Sequence, residues 1–115
     1  MVIIYGIRSC DRCRAALRWF SNSGVAHRFH DLREDGVDPG LLESWLAAVP
    51  PDTLLNKRST TWRALPPARR EAATEAEYSK LLQEMPTLIK RPVVVCDKRV
   101  LVGYDEAGWT ALLAE

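Results

Sequence analysis

The chain has 115 residues, which is enough for one domain with a hydrophobic core and too few for two. Hydrophobic residues make up 47% of it and charged residues 27%, a balance typical of a folded globular protein, and a net charge of +1 gives no electrostatic reason to expect direct binding to nucleic acid or to a membrane. No apolar run approaches the roughly 20 residues that span a bilayer, and the chain opens on a strand pattern rather than a signal peptide. We therefore expect a cytoplasmic protein.

The first third of the chain predicts a strand–helix–strand unit. Residues 2–5 are apolar and β-branched, as in a buried strand. From Asp11 to Ser23 apolar residues recur at helical spacing, and Gly24 is a typical helix stop. Residues 25–32 form a second strand pattern, so a right-handed crossover should leave the two strands parallel.

The middle of the chain predicts helices. Because no Gly/Ser linker bounds this region, we interpret it as a helical insertion over about residues 37–85 within a single domain spanning residues 1–115. The expected elements are a helix that starts at Asp38-Pro39-Gly40 and stops at Pro50-Pro51, a helical turn over 52–56, a polar connection over 57–62, and helices near 66–73 and 75–84.

The last third predicts a hairpin and a closing helix. Residues 91–96 form a strand pattern, Asp97-Lys98 a tight turn, and residues 100–102 the return strand. Residues 105–115 form a helix with Trp109 facing inward. The order βαβ, helices, ββα predicts an α/β protein with a thioredoxin-like fold and a helical subdomain inserted between its two halves.

Two cysteines form a C-x-x-C pair where the first loop meets the first helix. Backbone N–H groups and the helix dipole stabilise an anion there, and Arg8, Arg12 and Arg14 add positive charge, so Cys10 should be a thiolate nucleophile. Cys13 lies three residues on, on the same helix face, where it can close a disulfide with Cys10. The pair therefore predicts thiol–disulfide exchange, with Cys13 as the resolving thiol.

Other interpretations of the cysteines stay open. Two cysteines are half of a zinc site, but His27, His30 and Cys96 lack paired ligand spacing, so no metal is predicted. Cys13 is also compatible with a helix-packing role, with Cys10 acting alone. Cys96 ends an apolar strand and is expected to be an inert buried thiol, while the two histidines are expected at the surface or at a sheet edge.

Arg91-Pro92 is a second candidate site. Proline is tolerated at the first residue of a strand and can carry a cis bond. In thioredoxin folds a cis-proline loop lies beside the reactive cysteine, which would bring Arg91 near Cys10. The alternative is an ordinary strand-entry proline that follows a surface arginine.

Four segments resemble the arsenate reductase-related (ArsC/Spx) family, in the family's order and spacing, and most of all its YffB-like branch of proposed glutathione-dependent thiol reductases. The segments are Tyr5-Gly-Ile-Arg-Ser-Cys10-Asp, Leu55-Asn-Lys-Arg-Ser-Thr-Thr-Trp62-Arg, Pro86-Thr-Leu-Ile-Lys-Arg91-Pro92 and Val102-Gly-Tyr104.

The resemblance implies roles for particular residues. Cys10 matches the nucleophile of the glutaredoxin-coupled arsenate reductases, and Arg91 matches the arginine before their cis-proline. The positions of two further oxyanion-binding arginines fall at Asn56 and Gly103. Because a site without these two guanidiniums should bind arsenate poorly, arsenate is a weaker candidate than a disulfide.

The C-x-x-C pair and residues 97–106 also resemble the Spx-type regulators, which bind RNA polymerase. On that interpretation the disulfide is a sensor and an RNA polymerase subunit is the partner. Residues 31–36 and 55–65 resemble the reductase branch more.

The resulting prediction is a thiol–disulfide oxidoreductase that holds no cofactor and uses glutathione as co-substrate. Its expected ligand is glutathione or a small disulfide, and glutaredoxin and thioredoxin are its candidate protein partners. The alternatives are an Spx-type redox-sensing regulator and a glutaredoxin-coupled arsenate reductase. The expected catalytic residues are Cys10, Cys13 and Arg91, and the expected substrate-binding residues are Arg14, Asn56, Lys57, Arg58 and Pro92.

Overall fold

The computed structural model describes residues 1–71 and 75–114, with only the backbone of residues 71, 75 and 76. It divides into a first unit, formed by Met1–Asp35 with Arg91–Glu115, and a second unit, Gly36–Lys90. The elements in chain order are β1 (Val2–Gly6), α1 (Asp11–Ser23), β2 (His27–Asp31), α2 (Pro39–Ala48), α3 (Pro51–Leu54), α4 (Thr60–Ala64), α5 (Pro67–Glu71), α6 (Glu75–Glu84), a 3-10 helix (Pro86–Leu88), β3 (Val93–Cys96), β4 (Arg99–Val102) and α7 (Glu106–Leu113).

The first unit contains a four-stranded mixed sheet in the order β2-β1-β3-β4. Strands β1 and β2 are parallel, and their last residues, Gly6 and Asp31, are register partners. Strand β3 pairs antiparallel with β1 and with β4, and the hairpin turns at Asp97, whose φ of 56° lies in the left-handed region that aspartate tolerates. The predicted parallel pairing of the first two strands and the predicted hairpin are therefore confirmed, and both histidines lie on the edge strand β2, as expected.

The core of the first unit lies between the sheet and helices α1 and α7. Helix α1 buries Cys13, Ala16 and Phe20, which recur at helical spacing. The aromatic rings of Phe20 and Trp109 lie 5.1 Å apart, and Trp109 is fully buried. Helix α1 ends at Gly24, whose φ of 75° confirms the predicted stop. This arrangement holds the amino end of α1 at the carboxyl ends of β1 and β2.

The second unit is helical, with hydrogen-bonded caps at two of its helix starts. The Asp38 side chain accepts the Gly40 and Leu41 N–H groups at the start of α2. The Ser59 hydroxyl accepts the Trp62 N–H, at 3.1 Å, at the start of α4. Within this unit the Leu55 backbone forms a bridge with Ile89.

Several predicted boundaries were wrong. The polar connection expected over residues 57–62 contains the start of α4, because Ser59 caps a helix that buries Trp62. Strand β2 begins at His27, two residues later than expected, and Cys96 is half-buried rather than buried, since it lies at the strand end before the turn. Residues 72, 73 and 115 of the predicted helices lie outside the described residues. Whether the two units form a single domain stays a prediction.

Within the described residues, no helix is both long enough and apolar enough to cross a membrane.

Candidate active site

Cys10 is the N-cap residue of α1, where the chain leaves the loop of residues 7–9 and enters the helix. Its backbone is extended, with φ −80° and ψ 125°. The Cys10 N–H donates to the Ile7 carbonyl at 2.9 Å, and the Cys10 carbonyl accepts the first helical hydrogen bond, from Arg14 N–H at 3.0 Å. The side chain is half-buried, so the sulfur is shielded without being sealed from solvent. The predicted position of Cys10 at the helix start is the observed one.

The surroundings of the Cys10 sulfur favour its thiolate. Burial raises the pKa of the Cys10 thiol, but the Cys13 N–H and the Cys13 thiol both donate hydrogen bonds to the sulfur. The Arg91 guanidinium and the Arg12 N–H donate two more. Together these bonds bring the pKa of Cys10 below its ordinary value, because each of them is stronger to a charged sulfur than to a neutral one.

Cys13 is fully buried beneath the end of β1. Its Sγ accepts a hydrogen bond from Ile7 N–H at 3.5 Å and rests against the Cα of Gly6, where a Cβ would overlap it. Burial raises the pKa of Cys13 to about 12; the Ile7 N–H opposes this rise, and the negative charge of Cys10 adds to it. The surroundings therefore favour the thiolate at Cys10, whereas Cys13 beside it stays a protonated thiol.

Arg91 and Pro92 lie in the same unit as the two cysteines, at the entrance to β3. The Arg91–Pro92 peptide bond is cis, and the Arg91 guanidinium reaches the Cys10 sulfur. The Pro92 carbonyl accepts the Gly103 N–H at 2.8 Å, which ties this loop to the residue after β4. The structure thus brings Arg91 to Cys10, as the prediction required, whereas the assignment of Pro92 to substrate binding stays a prediction.

Two of the three arginines near Cys10 in sequence are engaged elsewhere. The Nε of Arg8 lies 3.5 Å from Glu34 Oε2, and its guanidinium stacks on the Phe29 ring at 5.3 Å. Arg14 donates to the Ser9 carbonyl at 3.2 Å and pairs with Asp11 at 3.6 Å, both at the surface. The guanidinium that donates to the Cys10 sulfur is that of Arg91, whereas those of Arg8 and Arg14 have the partners just named. A role for Arg14 in substrate binding stays a prediction.

Asn56, Lys57 and Arg58 lie in the second unit, on the loop between α3 and α4. The Asn56 Oδ1 accepts the Arg58 N–H at 3.1 Å, and its own N–H donates to the Leu88 carbonyl at 2.7 Å. Lys57 Nζ lies 3.7 Å from the Asp52 carboxylate. These contacts order the loop, and the predicted role of its side chains in substrate binding stays a prediction.

Sequence reasoning missed a shallow cavity along the exposed side of α1. It has a volume of about 610 Å³ and begins at the residue after Cys10. Its lining residues are Asp11, Arg12, Ala15, Arg18 and Tyr104. The Arg12–Ala15–Arg18 spacing, which places these residues on one helix face, was the available signal, but nothing in the sequence marks Tyr104 as their neighbour.

In the described ranges, 1–71 and 75–114, no group of three His, Cys, Asp or Glu side chains is placed to hold a metal ion.

Comparison with known proteins decides the family. The model of the ArsC family matches residues 5–112, nearly the whole chain. The chain belongs to the ArsC family. The resemblance found in the four sequence segments is thereby confirmed, and so is the thioredoxin-like fold with its thiol-redox architecture.

Three individual proteins similar to this chain extend the comparison. An uncharacterized protein of Haemophilus influenzae is 38% identical over 114 residues, which cover 99% of this chain and 100% of the relative. The solved structure of the protein YffB has a TM-score of 0.92 and 35% sequence identity, covering 96% of this chain and 97% of that chain. The global transcriptional regulator Spx of Listeria innocua is 25% identical over 108 residues, which cover 92% of this chain and 82% of the regulator. Of these three similar proteins, only the Listeria innocua regulator has a name that states a function.

Proposed function

We propose that this ArsC-family protein is a thiol–disulfide oxidoreductase that reduces small disulfides or glutathione mixed disulfides, with Cys10 as nucleophile and Cys13 as resolving thiol. The observation that carries the proposal is the pairing of a thiolate-stabilising site at Cys10 with a buried, protonated thiol at Cys13. A low-pKa, partly accessible cysteine is the kind that reacts at neutral pH.

The first step is attack on the substrate. The Cys10 thiolate attacks one sulfur of a disulfide R–S–S–G, where G–S is the glutathione half. The substrate S–S bond breaks, a mixed disulfide forms between Cys10 and glutathione, and the R–S⁻ group leaves and takes up a proton from solvent. The Arg91 guanidinium faces the sulfur that carries the negative charge before the attack.

The second step releases glutathione. Cys13 loses its proton and attacks the Cys10 sulfur, so that the Cys10–Cys13 disulfide forms and glutathione leaves as a thiolate that is then protonated. Formation of the mixed disulfide removes the charge of Cys10, and with it one of the causes that hold the proton on Cys13. Two further glutathione molecules reduce the protein disulfide and are oxidised to glutathione disulfide.

Charge near Cys10 supports an acidic thiol such as glutathione as the co-substrate. Arg12 and Arg18 line the cavity along the exposed side of α1, the helix that Cys10 caps, and Arg91 reaches the reactive sulfur itself. Glutathione carries two carboxylates, which guanidinium groups bind through paired, charge-assisted hydrogen bonds. The use of glutathione as co-substrate is part of this proposal, and so is a location in the cytoplasm, where glutathione is available.

The pH dependence of Cys10 alkylation tests the proposal without any substrate. Because the pKa of Cys10 lies below its ordinary value, the reaction with iodoacetamide should rise with pH to a plateau, with a midpoint below the roughly 8.5 of an ordinary cysteine. Replacing Arg91 by alanine should raise that midpoint by about one pH unit, which reduces the thiolate fraction at neutral pH about tenfold.

Arg91→Lys is the matched variant, since it keeps the charge and loses the planar guanidinium; it should fall between the parent and Arg91→Ala. A parent midpoint at or above that of an ordinary cysteine would remove the basis of the proposal.

A redox-sensing regulator is the second candidate. The Spx regulator from Listeria innocua aligns over 92% of this chain, and the C-x-x-C pair provides a disulfide that could report oxidation. On this proposal the oxidised and reduced forms would differ in binding to a partner, an RNA polymerase subunit, rather than in turnover. Arsenate reduction is weaker, because Asn56 and Gly103 stand where the resemblance places two oxyanion-binding arginines.

A further inference from the structure

The carboxylate of Asp31 is buried at the carboxyl end of β2. Its exposure is 2%, and no other charged residue in the described part of the chain is buried. A buried charge loses its hydration and is tolerated only where hydrogen bonds replace the lost water. The partners of Asp31 therefore indicate what this carboxylate holds in place.

Asp31 binds backbone groups from two separate loops. Its Oδ1 accepts the N–H groups of Arg33, at 2.8 Å, and Glu34, at 2.9 Å, in the turn that follows β2. Its Oδ2 accepts the Arg8 N–H, at 3.0 Å, from a residue 23 positions earlier in the chain. Burial raises the pKa of Asp31, but the N–H groups of Glu34, Arg8 and Arg33, with the Arg8 guanidinium, outweigh burial and lower it, so the group is a carboxylate at neutral pH.

The Arg8 N–H belongs to the loop that presents Cys10. In this loop the Ile7 N–H donates to Cys13 Sγ, at 3.5 Å, and the next N–H, that of Arg8, donates to Asp31. The Cys10 N–H then turns back to the Ile7 carbonyl, at 2.9 Å. Two adjacent N–H groups of this short loop are thus held by different side chains, that of Ile7 by Cys13 and that of Arg8 by Asp31.

The sheet places the two loops where one carboxylate reaches both. Gly6 and Asp31 are register partners at the ends of two parallel strands, and the Leu32 N–H donates to the Gly6 carbonyl at 2.8 Å. The carboxyl ends of parallel strands share one edge of a sheet, so the chain after β1 and the chain after β2 leave it side by side.

We propose that Asp31 is a positioning residue for Cys10: its carboxylate holds the loop of residues 7–9 so that the Cys10 sulfur meets its hydrogen-bond donors. Asp31 does not touch the reacting sulfur and acts through the Arg8 backbone. The role rests on the proposed function, because it matters only if the Cys10 thiolate reacts. Its test uses alkylation alone, so it stands or fails separately from any disulfide substrate.

The experiment compares the pH profile of Cys10 alkylation in Asp31→Ala and Asp31→Asn with that of the parent. The alanine variant frees the Arg8 N–H, so the alkylation midpoint should rise and the rate at neutral pH fall about tenfold, the change that one pH unit produces. Asparagine keeps the size and one acceptor oxygen but replaces the other by an NH2 group, which cannot accept, and should give an intermediate profile.

Glu34→Gln is the matched control. The Glu34 carboxylate pairs with the Arg8 guanidinium at the surface and accepts no backbone N–H of the loop, so this variant should keep the parent profile. A residue that only stabilised the fold would lower the unfolding midpoint and leave the alkylation profile unchanged. Parent profiles in both folded Asp31 variants would overturn the proposal.

If neither Asp31 variant folds, amide hydrogen exchange in the unmodified protein decides. The proposal predicts that the Arg8 N–H, although it lies in a loop beside a largely exposed side chain, is protected to the same degree as the Arg33 and Glu34 N–H groups. Exchange of the Arg8 amide at the rate of an unstructured peptide would overturn it.

Discussion

Replacing Cys10 by serine should reduce disulfide-exchange activity to the level of the uncatalysed reaction. A serine hydroxyl stays protonated at neutral pH, whereas the lowered pKa of the Cys10 thiol favours its thiolate, so no comparable nucleophile remains at the start of α1. Cys13 cannot take its place, because it is fully buried and its pKa is raised to about 12. The measurement is the rate of reduction of a small disulfide, followed by release of its thiol.

Cys96→Ser is the matched control for the loss of one thiol. Cys96 is half-buried at the end of β3 and packs on the edge of the hydrophobic core, so this variant should keep the parent rate. If Cys10→Ser kept its activity, or Cys96→Ser lost it, the assignment of the chemistry to Cys10 would be wrong.

Replacing Gly6 by alanine should destabilise the protein by about 1–3 kcal/mol, the usual cost of overpacking a closed site. A Cβ on Gly6 would overlap Cys13 Sγ and lie 3.1 Å from Cys13 Cβ, and Cys13 has no free space because it is fully buried. Denaturant unfolding of reduced Gly6→Ala and parent protein measures the difference in free energy of unfolding.

A double-mutant cycle identifies the cause of that loss. In the Cys13→Ala background the sulfur is absent and only the weaker contact with the Cβ of residue 13 remains, so the cost of Gly6→Ala should fall by more than the roughly 0.5 kcal/mol within which independent changes add. Gly24→Ala is a second comparison: nothing lies within 4 Å of its Cβ, but its φ of 75° makes alanine costly through the backbone alone. If Gly6→Ala lowered the free energy of unfolding equally in both backgrounds, a clash with the Cys13 sulfur would not be the cause of the destabilisation.

The sheet and α1 were predictable because their signals are local. The apolar run of β1, the helical spacing that ends at Gly24 and the turn at Asp97 each depend on neighbouring residues only. Helix α4 was missed because Thr60 and Thr61 are β-branched residues with modest helix propensity. The helix begins with a hydrogen bond from Trp62 N–H to the Ser59 hydroxyl, and the composition of this polar segment does not show that the bond forms.

The cysteine pair was predictable for a similar reason, since a spacing of three residues at a helix start is enough to bring two sulfurs together. The electrostatics of the pair were only partly predictable. Sequence proximity suggested Arg8, Arg12 and Arg14 as the cations beside Cys10, but Arg8 pairs with Glu34 and Arg14 with Asp11. The guanidinium that reaches the sulfur is that of Arg91, which the topology of the sheet brings from the far end of the chain.

Asp31 could not be identified from its sequence. It stands near the end of the predicted strand of residues 25–32, and the residues that follow, Arg33-Glu34-Asp35, are charged, so nothing in the sequence marks Asp31 as buried. Its burial depends on the Arg8 N–H, and which backbone group meets a side chain across 23 residues is decided by strand register rather than by local pattern. A contact that depends on strand register, such as that of Asp31 with the Arg8 N–H, is identified from the three-dimensional structure.

The most direct measurement is the intact mass of oxidised protein during exposure to reduced glutathione, with Cys13→Ser in parallel. The account predicts that reduced glutathione returns the Cys10–Cys13 disulfide rapidly to the dithiol. Cys13→Ser, given glutathione disulfide instead, should exchange with it, release one reduced glutathione and accumulate one glutathione adduct on Cys10, because no resolving thiol is present to expel it. A disulfide that resists physiological glutathione, with no adduct on the Cys13→Ser variant, would contradict the reductase and favour a redox-sensing regulator.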